Sequence, residues 1–234
     1  MPLNPAARRA LALLLPLGCL AAPRAARAQE EAPPLAPPAV PLRGARPEAF
    51  APAGWTIAAQ VAGDLNGDSR ADRVLHLVPR DAASRSARDI LAPGPYTHAL
   101  VILLAESRGG WRRAGVAPRL LLSEMPQWSL QLAIRRGVLV VNQHYGMADV
   151  WDLTHRLRLH GPSGRFVLIG RDLGTFHRPS GMYDTSKKSD NYLTGVRLKT
   201  VGHLQSDGSY RDTVERRRIP RTRVALEDVR EQDG

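Results

Sequence analysis

Asp64, Asn66, Asp68 and Asp72 place oxygen-bearing side chains at positions 1, 3, 5 and 9 of the loop Asp64-Leu65-Asn66-Gly67-Asp68-Ser69-Arg70-Ala71-Asp72. Ca2+ is a hard cation that takes about six to eight oxygen ligands, and carboxylates at these positions can wrap one sphere. The backbone carbonyl of Arg70 would supply position 7. An EF-hand requires a bidentate Glu at position 12 and a helix on each side, but position 12 here is Leu75. The other reading is an Asn-Gly and Asp-rich hairpin turn that binds nothing, since the same residue types make ordinary turns.

A second constellation lies within twelve residues: His144, Asp149, Asp152 and His155. Two imidazoles and a carboxylate can ligate a transition metal or share acid/base work, which would make the protein a secreted metal-dependent or acid/base hydrolase using His144, Asp149 and His155. The competing expectation for His155 is a hydrogen-bonded core histidine, because it alternates with Trp151, Leu153, Leu157 and Leu159. Ser163 lies in Gly161-Pro162-Ser163-Gly164, which reads as a turn and lacks the nucleophile-elbow pattern. No Walker loop, dinucleotide fingerprint or His-Glu-x-x-His occurs. The polar run Asp184 to Asp190, with Ser186, Lys187, Lys188 and Ser189, reads as an exposed connecting loop.

The elements that must position these residues are strands. Trp55 to Ala62 and Arg73 to Val78 flank the acidic loop with β-branched and apolar residues, so the loop joins two strands. Ala99 to Leu104 is a continuous apolar run of strand length, returning through Trp111 to Ala114. Ser129 to Ile134 and Val138 to His144 form a hairpin across Arg135-Arg136-Gly137. Trp151 to His160 alternates strictly, the mark of a half-buried strand, and turns into Arg165 to Gly170. Leu193 to Val201 and Tyr210 to Arg217 complete the series, while Arg80 to Pro95 reads as loop. Short strands joined by tight turns predict an all-β domain of antiparallel hairpins forming a sheet, a sandwich or a partial propeller-like arrangement.

With those flanks, Gly63 to Asp72 resembles the calcium hairpin of FG-GAP/VCBS repeats, the blade motif of integrin-α-type β-propellers. The resemblance implies Ca2+ held by Asp64, Asn66, Asp68, the Arg70 carbonyl and Asp72. The family usually has Gly at position 6, where this chain has Ser69. No second copy of the loop occurs, whereas a full propeller needs several blades. The wider order of pieces, from Gly54-Trp55 through Phe166 to Gly170 and Asn191 to Gly195, is similar to small bacterial exported proteins that carry a single such loop.

Arg8 and Arg9, an apolar run from Ala10 to Ala22 and the Ala26-Arg27-Ala28 site read as a signal peptide over residues 1–28, making the protein exported, periplasmic or secreted. The alternatives are a lipid anchor at Cys19 and a twin-arginine signal at Arg8-Arg9. Cys19 is the only cysteine, so cleavage after Ala28 leaves no disulfide framework or thiol nucleophile. The Pro- and Ala-rich residues 29–53 read as a disordered, coreless linker, and residues 54–234 as a single β-rich domain. No stretch is long and apolar enough to span a bilayer. The formal charge of +11 is almost entirely arginine. Its one dense run, Arg216 to Arg223, has no interleaved aromatics to stack on bases, which argues for a solvated basic tail and against nucleic acid. The composition and the loop together predict a non-enzymatic calcium-binding β-domain with a protein or cell-envelope partner.

Overall fold

The computed structural model describes residues 35–36, 39–80, 98–122, 128–147, 149–177, 184–205 and 207–230. The signal peptide, Cys19 and the loop after Arg80 lie outside the described residues. The fold is all-β, with twelve strands in two antiparallel sheets among the described residues. The first sheet contains β1 (Arg43–Gly44), β2 (Trp55–Gly63), β3 (Asp72–Pro79), β4 (Ala99–Ala105) and β5 (Trp111–Ala117), in the order β1-β5-β4-β3-β2. The second is an uninterrupted meander of β6 (Ser129–Arg135), β7 (Val138–Gly146), β8 (Asp149–His160), β9 (Arg165–His177), β10 (Asp184–Asn191), β11 (Val196–Leu204) and β12 (Tyr210–Arg218).

The apolar run of β4 is continuous because both of its faces are covered. Leu100, Ile102 and Leu104 meet Leu139, Val141, Leu157 and Phe166 of the second sheet in one core. Ala99, Val101 and Leu103 point the other way, into a second core closed by Leu35, Val40 and Phe50. The expectation of a coreless linker to residue 53 is therefore corrected for its described part. Arg43–Gly44 pairs with β5, Pro47–Phe50 forms a 3-10 turn, and Phe50 is fully buried. The Pro-rich composition hides this, because Leu35, Val40 and Phe50, with Ala51 beside them, are the scattered apolar side chains that supply the cover.

Two further expectations change. Asp184 to Asp190 is an interior strand, β10, rather than a loop. It escapes pattern recognition because most side chains on both of its faces are polar, so no apolar alternation marks it. Arg216, Arg217 and Arg218 belong to edge strand β12 rather than to a solvated tail, and the chain then returns to bury Leu226 and Val229 in the shared core. Exposed arginines along an unpaired edge hinder sheet-to-sheet association, which accounts for the charge run structurally. Gly63 marks a close approach of β2 and β6: a Cβ there would lie 2.8 Å from Ile134.

If residues 39–53 are a structural cover, Phe50→Ala should lower unfolding free energy by about 3–5 kcal/mol, as for other large-to-small core changes. A urea midpoint unchanged from the parent chain would return the segment to the status of linker.

Candidate functional site

The acidic loop is the tip of the β2–β3 hairpin, and backbone N–H groups organise it. Asp64 Oδ1 accepts from Gly67 N at 2.7 Å and Asn66 N at 3.2 Å, and Oδ2 from Ser69 N at 2.9 Å. Asp68 Oδ1 accepts from Arg70 N at 2.9 Å. Asn66 Nδ2 and the Arg70 guanidinium both donate to Asp68 Oδ2, at 2.8 and 2.6 Å. These donors hold the carboxyls of Asp64 and Asp68 below the usual carboxylate range, backbone bonds from Ser69 and Arg70 contributing most.

Asp72 differs from both. It is fully buried, with Oδ2 accepting from Leu65 N and Oδ1 from Ala105 N, each at 2.8 Å. Burial pushes its carboxyl upward, two N–H donors oppose that, and the negative charges of Asp68 and Asp64 add to the rise. Ser69, at the position where the FG-GAP family has Gly, sits at φ +63°, the left-handed region that disfavours side chains. Asp64, Asn66, Asp68, Arg70 and Asp72 are thus on one short loop, where Arg70 closes on Asp68. Among the described residues no three His, Cys, Asp or Glu side chains stand at metal-holding spacing.

The side chains of Asp64, Asn66, Asp68 and Asp72 match a hard cation in donor type, since all carry oxygen donors. Each carboxylate oxygen has two lone pairs, so an oxygen that accepts one backbone N–H, as both Asp72 oxygens and Asp64 Oδ2 do, keeps a second for a cation. The backbone turns left-handed at Ser69 despite its side chain.

The histidine constellation does not assemble. His144 pairs in register with Asp152 and His155 with Val141, three positions back along β7, so the two imidazoles point to opposite faces of the sheet. His144 is exposed, with Nδ1 3.7 Å from Asp152 Oδ2. His155 is fully buried beneath the core face, and neither ring nitrogen has a hydrogen-bond partner. Asp149 shares that face but lies six residues along the same strand. The hydrolase expectation built on His144, Asp149 and His155 is corrected on this geometry, and so is that of a hydrogen-bonded His155.

A different histidine pair escaped sequence reasoning. His76 Nε2 and His98 Nδ1 are 2.9 Å apart, and Trp128 meets both rings edge-on, with centroids at 5.9 and 4.8 Å. Trp128 Nε1 in turn donates to Gln143 Oε1 at 3.2 Å, which also accepts from Leu122 N at 2.7 Å. No spacing links positions 76, 98 and 128, so only the fold brings them together. The facing nitrogens of the pair are spent on each other, which suits a structural role between the sheets. Burial lowers His76 to about 3, with a contribution from His98, and His98 to about 4. His155 falls to about 3 through burial and then the charge of Arg171.

Compared with protein-family models, with curated proteins and with solved structures, the chain matches none.

The three buried histidines set a pH dependence. Above about pH 6.5 they are neutral in both folded and unfolded chains and contribute nothing. Below it the unfolded chain takes up protons that the fold refuses, so stability falls as pH drops toward about 4, by up to about 1.4 kcal/mol per pH unit for each histidine. Urea midpoints between about pH 7 and 4.5 should decline steeply; a flat profile contradicts the burial of these groups in neutral form.

Proposed function

We propose that this protein is an exported, non-enzymatic β-domain in which Ca2+ clips the Asp64–Asp72 hairpin, serving an interaction or structural role in the cell envelope. The observation that carries the calcium half is Asp72, a buried ionisable group that feels the charges of Asp68 and Asp64 and is bonded to the backbone of both Leu65 and Ala105. At neutral pH its charge opposes burial, and a divalent cation beside it would offset that opposition. Asp64, Asn66, Asp68, Asp72 and the carbonyl of Arg70 would hold the ion. Its chemistry is charge neutralisation, which stiffens the turn; binding would release Arg70 from Asp68.

The non-enzymatic half rests on the separation of His144 from His155 and on the mutual pairing of His76 with His98, which leave neither set convergent on a shared cleft. The export half rests on the residues before Gln29, with their paired arginines, apolar run and Ala-x-Ala site.

Calcium that binds only the folded chain stabilises it by mass action, by about 2.7 kcal/mol at a hundredfold excess over the dissociation constant. For a domain of this size the corresponding rise in melting temperature is about 5–10 °C. Thermal melts in millimolar Ca2+ and in chelator should differ by that amount, and Asp68→Ala should remove the difference. Equal midpoints in the two conditions would sink the clip.

A further inference from the structure

The second sheet carries its core on one face only, and its register assigns the other face to a different task. One cross-strand row runs His144, Asp152, Gly174, Lys187, Thr200 and Val214 from β7 to β12. In a flat sheet, five strand intervals would separate the ends of such a row by about 24 Å. His144 on β7 and Asp212 on β12 nevertheless line the same groove, of about 510 Å3. The sheet therefore curls with this face concave. Gly174 on β9 lines the groove between Asp152 and Lys187, and Gly202 on β11 pairs in register with Asp212, another of its lining residues. Glycine at such positions lets a sheet bend and leaves space for a ligand to approach the backbone.

The lining alternates in chemistry. Asp152 and Asp212 offer acceptors, while Lys187 and the hydroxyls of Thr154, Thr185 and Thr200 offer donors. Neighbours hold the walls in place: Asn142 Nδ2 donates to Asp152 Oδ1 at 2.9 Å, and Asp172 accepts from Arg156 at 2.8 Å and Ser189 Oγ at 2.7 Å. Among these polar groups the same face exposes Phe176, Leu198 and Val214, at 43, 41 and 62%. Such apolar side chains are left in water on a face that also presents donors and acceptors at close intervals.

We propose that this concave face binds a saccharide. Sugar hydroxyls donate and accept at once, which suits interleaved carboxylates, hydroxyls and an ammonium, while the C–H face of a pyranose ring covers an exposed aromatic such as Phe176. The volume is that of a small-ligand site. An acyl chain would take the charges of Asp152, Asp212 and Lys187 out of water and offer them no polar group in exchange, at high desolvation cost. A polyamine would meet Lys187 and the guanidinium that already neutralises Asp172. An extended peptide gains its affinity from a sheet edge, and this groove lies on a face.

The test is saturation-transfer NMR on the full chain with maltohexaose, cellohexaose and chitohexaose as probes. At least one should receive transfer at its ring C–H protons with a dissociation constant of about a millimolar or tighter. Phe176→Ala should weaken that binding by about tenfold, equivalent to 1.4 kcal/mol. Gly174→Leu should abolish it by filling the groove, since a Cβ there makes ordinary contacts of 3.5 Å to Phe176 and 3.7 Å to Asp152. Both variants should keep the parent melting temperature; if Gly174→Leu unfolds, Phe176→Ala decides alone. Absence of transfer to all three probes, binding unchanged in Phe176→Ala, or binding of spermidine or dodecanoate in their place would overturn the proposal.

Discussion

The buried carboxylate of Asp72 ties together three parts of the chain that sequence separates. It is the first residue of β3, it accepts from the backbone of Leu65 within the acidic loop, and it accepts from Ala105 at the end of β4. Losing it would leave two N–H groups without partners, each worth about 1–3 kcal/mol when stranded in a buried site. The loop is therefore anchored to the sheet at its ninth position, and its first seven positions are shaped by the N–H bonds to Asp64 and Asp68. Whatever the loop binds is coupled through Asp72 to the central strands of the first sheet.

Those central strands explain the rest of the architecture. β3 and β4 are apolar on both faces, so a two-layer fold would leave one face wet. The chain answers with a cover from residues 39–53 on the outside, pinned where Arg113 donates both its backbone N–H to Leu42 and its guanidinium to Val40. On the inner side it supplies the second sheet, plus the returning C-terminal segment in which the backbone N–H of Leu168 donates to Val224. The second sheet has more strands than the first, and its concave outer face lies beyond both covers. Its polarity follows from that position.

What the sequence made legible is what local periodicity encodes. The strict alternation of β8 marks a half-buried strand, the unbroken apolar run of β4 marks a strand without showing that both its faces are covered, and the Asn-Gly and Asp spacing places the β2–β3 turn. Ser69 has a φ of +63°, a conformation that glycine would favour, which no sequence pattern of this loop reveals by itself. Three features lay outside such reading because they depend on contacts distant in sequence. The cover shows few apolar residues, β10 has polar side chains on both faces, and the His76–His98 pair forms only when β3 and β4 are aligned. His144 and His155 misled for the complementary reason: proximity in sequence does not survive a register that sends them to opposite faces.

A calcium ion held by the Asp64–Asp72 hairpin would have a direct reporter in Trp111. Its indole Nε1 donates to the carbonyl of Ala71 at 3.3 Å, beside the loop. Tb3+ is a luminescent stand-in for Ca2+, and an ion held by the loop would be sensitised by this ring. Titration should give tryptophan-sensitised Tb3+ emission that saturates at a single ion per chain, is displaced by Ca2+ and disappears in Asp68→Ala. Emission that fails to rise above that of free Tb3+, or that persists unchanged in Asp68→Ala, would contradict the account.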